Sequence, residues 1–122
     1  MDFKDNKAIY LQIADIFCEN ILLKKWNEGE RIPSVRETAV NIEVNPNTVM
    51  RTFNFLQDME IIYNKRGIGY FVSDDAFDKT LSFKKENFIK HELPSMFKAM
   101  DLLNINFDEL KEYYNTHNNK AN

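Results

Sequence analysis

The feature that most constrains this 122-residue chain is a pair of helix starts set close together in its middle third. In Pro33-Ser34-Val35-Arg36-Glu37, Ser34 is followed three residues later by Glu37. That is a capping box, in which each side chain satisfies a backbone N–H left unpaired at a helix start. Val35, Ala39 and Ile42 then make an apolar stripe, which predicts a short helix over 35–42. A second start follows almost at once. Asn45 is a good N-cap, and Pro46 takes the first helical position, where its missing N–H costs nothing. This helix should run to about Met59. Two short helices joined by so tight a turn are the skeleton of a helix-turn-helix.

The flanking segments extend that skeleton. Ile9, Ile13, Ile16, Phe17 and Ile21 recur at spacings of three and four, predicting an amphipathic helix to about Lys25 that Gly29 stops. Cys18 falls within it as a small core or boundary residue. Ile61-Ile62-Tyr63 and Tyr70-Phe71-Val72 read as strands of a hairpin around the basic, glycine-containing turn 64–69. Residues 73–82 are polar and read as a connector. Ile89, Leu93, Met96, Met100 and Leu103 form a narrow apolar seam that Pro94 should kink or divide. Asn106 should cap a last short helix carrying Phe107, Leu110 and Tyr114, with a polar, frayed tail from Asn115.

Composition narrows the classes. At 43% apolar residues the chain has material for a real core, which excludes wholesale disorder. No apolar run approaches the ~20 residues needed to cross a bilayer. The opening MDFKDNKAIY lacks the order of a secretory leader. A single cysteine excludes an internal disulfide and fits a cytoplasmic protein. The net charge of −3 argues against a nucleic-acid partner only until the chain is divided. Residues 1–30 carry four Lys against six acids, and residues 73–122 seven Lys against nine. Residues 31–72 carry five Lys and Arg against four acids, the one positive balance. Local charge decides phosphate binding.

The second helix of the pair has two opposed faces. Val49, Phe53 and Leu56 share one side, while Asn47, Arg51 and Asn54 start two residues earlier, ~200° away around a 3.6-residue turn. In isolation most such polar stripes are solvated surface. Here the stripe follows a capped helix and a tight turn, and precedes a hairpin tipped by Lys65-Arg66-Gly67. Arg can bond bidentately to guanine and Asn to adenine in the major groove, and a basic hairpin tip can reach the minor groove or flanking phosphates. The combination points to double-stranded DNA as the partner.

The chain resembles the GntR family of bacterial winged-helix transcription regulators, most closely its short YtrA-like subfamily. The resemblance runs through Ala8-Ile9-Tyr10-Leu11-Gln12-Ile13, Gly29-Glu30-Arg31-Ile32-Pro33-Ser34-Val35-Arg36-Glu37, Val44-Asn45-Pro46-Asn47-Thr48-Val49 and Arg66-Gly67-Ile68-Gly69-Tyr70-Phe71-Val72. It implies a mainly α fold with a small β-hairpin wing: a winged helix-turn-helix DNA-binding domain over 1–73 and a C-terminal two-helix dimerisation arm over 74–122. It implies DNA contacts from Ser34 and Arg36 at the first helix of the pair, from Asn45, Asn47, Thr48 and Arg51 on the recognition helix, and from Lys65, Arg66 and Gly67 at the wing. Glu43 and Glu60 stand where the family usually has glycine, so each must be left-handed or its turn must differ. Ile68 replaces a residue that is often basic.

The seam of Ile89, Leu93, Met96, Phe97, Met100, Leu103, Phe107 and Leu110 is too apolar to be left wet. It either folds back as core or joins two copies, and the resemblance favours the homodimer. Met96 and Met100 could instead border a small-ligand cleft, but no polar group beside them would fix a ligand, and the effector is unknown. His91 and His117 lack partners at metal-ligand spacing. No catalytic constellation or phosphate-cradling glycine loop is present, so neither enzyme activity nor a cofactor is expected. The resulting expectation is a cytoplasmic, non-membrane transcription regulator, a repressor acting as a homodimer on a palindromic operator. The rivals are a winged helix that binds protein rather than DNA, and a ligand-binding or enzymatic module.

Overall fold

The structure, a computed structural model, describes residues 7–121. The first six positions of the segment weighed for a leader lie outside the described residues. The elements in chain order are α1 (Ile9–Leu22), α2 (Val35–Ile42), α3 (Pro46–Asp58), β1 (Ile62–Lys65), β2 (Gly69–Val72), α4 (Ala76–Asn87), a π-helical turn (Phe88–Glu92), α5 (Leu93–Leu103) and α6 (Phe107–Ala121). They form a mainly α fold with a two-stranded hairpin, arranged as a winged helix in two compact units, Met1–Phe83 and Lys84–Asn122.

In the first unit α3 is the central element. Its Val49, Phe53 and Leu56 are fully buried among Ile13, Phe17 and Ile21 of α1, Ala39 of α2, and Ile61, Ile62 and Val72 of the hairpin region. Phe53 meets Phe17 on one side and Tyr70 on the other, edge to face, at centroid distances of 5.4 and 4.7 Å. Trp26 completes the run against Phe17 at 4.8 Å. Such pairs contribute beyond the area they bury.

Both helix starts form as the sequence predicts. Ser34 Oγ accepts from Glu37 N at 3.1 Å while Ser34 N donates to Glu37 Oε1 at 3.2 Å. Hydrogen bonding to the Glu37 carboxyl, from the backbone N–H of Ser34 first and its hydroxyl second, holds it below its usual range. Asn45 Oδ1 accepts from Asn47 N at 2.8 Å, and Pro46 opens α3. In the hairpin Ile62 pairs with Val72 and Lys65 with Gly69. Residues 29–32 add a short third edge: Gly29 N donates to Val72 O, Val72 N to Glu30 O and Ile32 N to Tyr70 O.

The ends of α2 and α3 agree with the sequence reading, and the end of α1 differs from it. The helix α1 stops at Leu22, before Gly29, because Lys24 turns left-handed at φ 59°. Lys24 N then donates to Ile21 O and Lys25 N to Asn20 O, satisfying carbonyls that the helix leaves open. Glu43, Glu60 and Asn104 occupy the same left-handed position after α2, α3 and α5. Each is followed by an aliphatic residue whose N–H returns to the helix: Val44 to Ala39, Ile61 to Leu56, Ile105 to Met100. The anchor outweighs the strain, which for a residue with a Cβ is roughly 1–2 kcal/mol.

Residues 73–82 are not a connector. From Ala76 they are helical, and Ala76 and Thr80, one turn apart, are fully buried. Phe77 packs against the same core, and Phe83 meets Phe55 at 6.0 Å. Lys79 Nζ bonds Glu60 Oε2 at 2.8 Å and Asp75 Oδ2 at 3.2 Å, contacts that raise its pKa.

In the second unit Pro94 divides the helical run as its missing N–H requires. The π-helical turn precedes it, with Leu93 N donating back to Phe88 O. Asn106 Oδ1 accepts from Glu109 N at 2.8 Å and caps α6. That helix runs on to Ala121, so the stretch from Asn115, expected to fray, is helical. None of residues 84–120 is buried.

Candidate nucleic-acid interface

The core fixes which side of α3 faces outward. With Val49, Phe53 and Leu56 fully buried, the opposite stripe of Asn47, Arg51 and Asn54 is exposed, and Thr48 at its shoulder is half-buried. Asn45 and Ser34 are partly committed as caps. The cap uses the Asn45 carbonyl oxygen, leaving the amide NH2 to donate. Arg36 is exposed in the first turn of α2.

The wing tip is equally open. Lys65, Arg66 and Gly67 are all exposed, and Ile68 is 58% exposed. Ile68 N donates to Lys65 O at 2.9 Å and closes the turn, which Gly67 makes possible with φ +80°. The Lys65 ammonium lies 4.7 Å above the Phe71 ring, and Phe71 stacks on Tyr63 at 5.8 Å. The wing's cation therefore stands on two stacked aromatics rather than swinging freely.

Two residues escape a sequence reading of the interface. Arg31, on the third edge, bridges Phe71 and crosses the base of the wing. A Cβ at Gly69 would come within 2.8 Å of its Nε, so Gly69 is required by that side chain as well as by its φ of +146°. Alternation along Glu30-Arg31-Ile32, with Ile32 buried, is the signal that points Arg31 outward. The other is Tyr10 in the first turn of α1, whose ring carries the Arg51 guanidinium at 4.1 Å. A single Tyr more than forty positions upstream gives no local signal of that contact.

The candidate residues thus lie in three groups held by one core: the start of α2, the outer face of α3 and the wing. Among the described residues no carboxylate forms an ion pair with Arg36, Arg51, Lys65 or Arg66. Their charge is available to an anionic partner. Also among the described residues, no three of His, Cys, Asp and Glu come together as a metal site, and no helix is long and apolar enough to cross a membrane.

Comparison with known proteins agrees with this geometry. The family described as "Bacterial regulatory proteins, gntR family" matches residues 9–72, from the start of α1 to the end of the hairpin. The HTH-type transcriptional regulator YhcF of Bacillus subtilis is 34% identical over 110 residues, covering 90% of this chain and 89% of the relative. The HTH-type transcriptional repressor YtrA of the same organism is 32% identical over 113 residues, covering 93% and 86%. A crystal structure of a GntR-family regulator from Bacteroides thetaiotaomicron is similar at 48% identity with a TM-score of 0.77, covering 94% of this chain and all of that one. With its half-exposed helix α3, its wing and these relatives, the chain belongs to the GntR family of bacterial regulatory proteins, as a YtrA-like winged-helix member of this group of DNA-binding transcriptional regulators.

Proposed function

We propose that this protein is a cytoplasmic, sequence-specific repressor that binds a palindromic operator as a homodimer and carries out no catalysis. The observation that carries the DNA reading is the opposed pair of faces on α3, buried at Val49, Phe53 and Leu56 and open at Asn47 and Arg51. Had the protein's own chain covered Asn47 and Arg51, no groove could be read.

In this reading the head within residues 1–73 enters the major groove with the first turns of α3. Asn45, Asn47, Thr48 and Arg51 face the base edges, Ser34 and Arg36 approach from the start of α2, and Lys65, Arg66 and Gly67 follow the backbone or minor groove. Within the arm of residues 74–122, the part beyond Phe83 pairs two copies. Supporting this is the exposure of Ile89 at 48%, Met96 at 37%, Phe97 at 50%, Leu103 at 67% and Phe107 at 72%, with Leu93, Met100 and Leu110 only half-covered. A surface so apolar calls for a partner, and a second copy presents the same seam to the first. The similar repressor YtrA supports the sign of regulation. A dimer sitting over a promoter blocks transcription by occupancy alone.

The deciding experiment selects bound duplexes from a random pool. A palindrome with half-sites about one helical turn apart supports the reading; recovery of no preferred sequence refutes it. With roughly four cations per subunit on phosphate, log K should fall against log salt with a slope of about −7 for the dimer. If no duplex binds in a salt-dependent way, the winged helix serves a protein partner instead. On the selected duplex Arg51→Ala should cost ~1–3 kcal/mol and relax the preference at one position in each half-site.

A further inference from the structure

Tyr10 belongs to α1, outside the helix-turn-helix and the wing, yet three contacts gather on it from consecutive turns of α3. The fully buried Thr52 donates its Oγ1 proton to the Tyr10 carbonyl at 2.7 Å. Phe55 meets the Tyr10 ring edge to face at 6.3 Å and an angle of 75°. The Arg51 guanidinium lies over the ring, 4.1 Å from its centroid. Thr52 fixes the backbone of Tyr10, Phe55 fixes the ring, and the ring fixes Arg51.

We infer that Tyr10 is a positioning residue for base recognition: its ring holds the guanidinium of Arg51 in a pose from which it reads a guanine. This deepens the proposed function and rests on its assignment of the outer face of α3. The chemistry favours this division of labour. A guanidinium carries its five N–H donors in the plane of the group, whereas stacking uses the face. Tyr10 therefore restrains the arginine without consuming any donor that a guanine O6 and N7 would accept. A carboxylate in that place would take two of those donors and cancel the charge. An unrestrained arginine would have to give up its rotamer freedom on binding, so the stack raises affinity for the correct base by lowering that cost.

The test uses the full chain and the duplex obtained by selection, together with duplexes altered at the base pair whose preference Arg51→Ala relaxes. Discrimination between these duplexes is measured for Tyr10→Phe, Tyr10→Leu, Arg51→Ala and the double variant Tyr10→Leu/Arg51→Ala, each checked for folding by thermal melt. Tyr10→Phe should keep discrimination, because the ring face remains. Tyr10→Leu should reduce it roughly two- to five-fold, in line with an exposed cation–π contact. It should leave the salt slope unchanged, since no charge is lost. In the Arg51→Ala background Tyr10→Leu should cause no additional loss. Should Tyr10→Leu fail to fold, Tyr10→Met, flexible and without a ring, serves the same comparison. An equal loss with and without Arg51 would make Tyr10 a merely structural residue and overturn the inference. Tighter binding by Tyr10→Leu would overturn it too, by showing that the ring holds Arg51 away from DNA. If Arg51→Ala itself leaves discrimination intact, the assignment of the reading face fails first and the role given to Tyr10 falls with it, whereas loss with Arg51→Ala but none with Tyr10→Leu overturns the role of Tyr10 alone.

Discussion

The two compact units are close in aromatic content but opposite in what they do with it. The first closes over its large side chains: Phe53 is 0% exposed, and Phe17, Trp26 and Tyr70 meet one another or Phe53 edge to face. The second leaves its own outside, with Phe97 at 50%, Phe107 at 72% and Tyr114 at 63% exposed and no buried residue between 84 and 120. A unit of the first kind has its own core, whereas one of the second kind has helices whose apolar faces are still waiting for cover. In the proposed function the first unit reads and the second pairs, so damage to one should be legible apart from damage to the other.

The harshest way to break that contrast is to remove one phenylalanine from each unit. Phe53→Ala leaves a cavity at the meeting point of α1, α3 and the hairpin and should cost ~3–5 kcal/mol of unfolding free energy. Phe97→Ala in dilute solution, where copies do not associate, should stay within roughly 0.5 kcal/mol of the parent. Denaturant unfolding at low protein concentration measures both. Equal losses would show that the second unit has a core of its own and would remove the argument for a partner.

Next in size is the effect of charge on the arm. Leu103→Glu combined with Phe107→Glu places like charges on a surface that the proposed dimer would desolvate. Sedimentation should show a monomer whose first unit melts as before, while operator affinity falls by about 10²–10⁴-fold with the loss of bivalent binding. A dimer that survives this pair of changes would place the subunit interface elsewhere.

These two tests also mark what could be read from residues alone. The helix α3 was legible because its signals are local: Asn45-Pro46 starts it, and the 49/53/56 spacing orients it. The resemblance added the wing and its order. What stayed hidden depended on contacts between distant segments or on residues acting against type. Lys24 ends α1 in a conformation usually given to glycine, so no letter marks the stop. Residues 73–82 pass for a connector because the buried faces of α4 include a threonine, and Asp74 and Asp75 precede it. The placement of Tyr10 beneath Arg51 required the packing of α1 on α3.

The threonine that disguised α4 supplies a smaller and sharper probe. Thr80 is fully buried, and among the described residues its Oγ1 has no hydrogen-bond partner. A buried hydroxyl without a partner loses its hydration and gains nothing back. Thr80→Val keeps the branched shape and removes the hydroxyl, so it should stabilise the first unit by about 1 kcal/mol. Operator affinity should not change. Destabilisation instead would mean that a bound water or a partner satisfies the hydroxyl in solution.

The gentlest probe concerns the cap that launches α2 beside Arg36. Hydrogen bonds from Ser34 favour the ionised Glu37 side chain, so its pKa in the folded state lies below that in the unfolded chain. The sign follows directly: when folding depresses a carboxyl pKa, the unfolded chain binds more protons at acid pH, and stability falls as pH falls. The Glu37 contribution is therefore complete above the ordinary glutamate pKa and fades as pH drops through the lower, folded value. Glu37→Gln keeps an oxygen that can accept from Ser34 N but cannot titrate. Comparing denaturation midpoints of the two proteins from pH 7 to pH 3 isolates this one group from the remaining carboxylates. The parent should be the more stable at neutral pH, with the gap closing toward pH 3. A gap independent of pH would show that Glu37 supports the helix through packing or hydrogen bonding alone, and that its charge is immaterial to the start of α2.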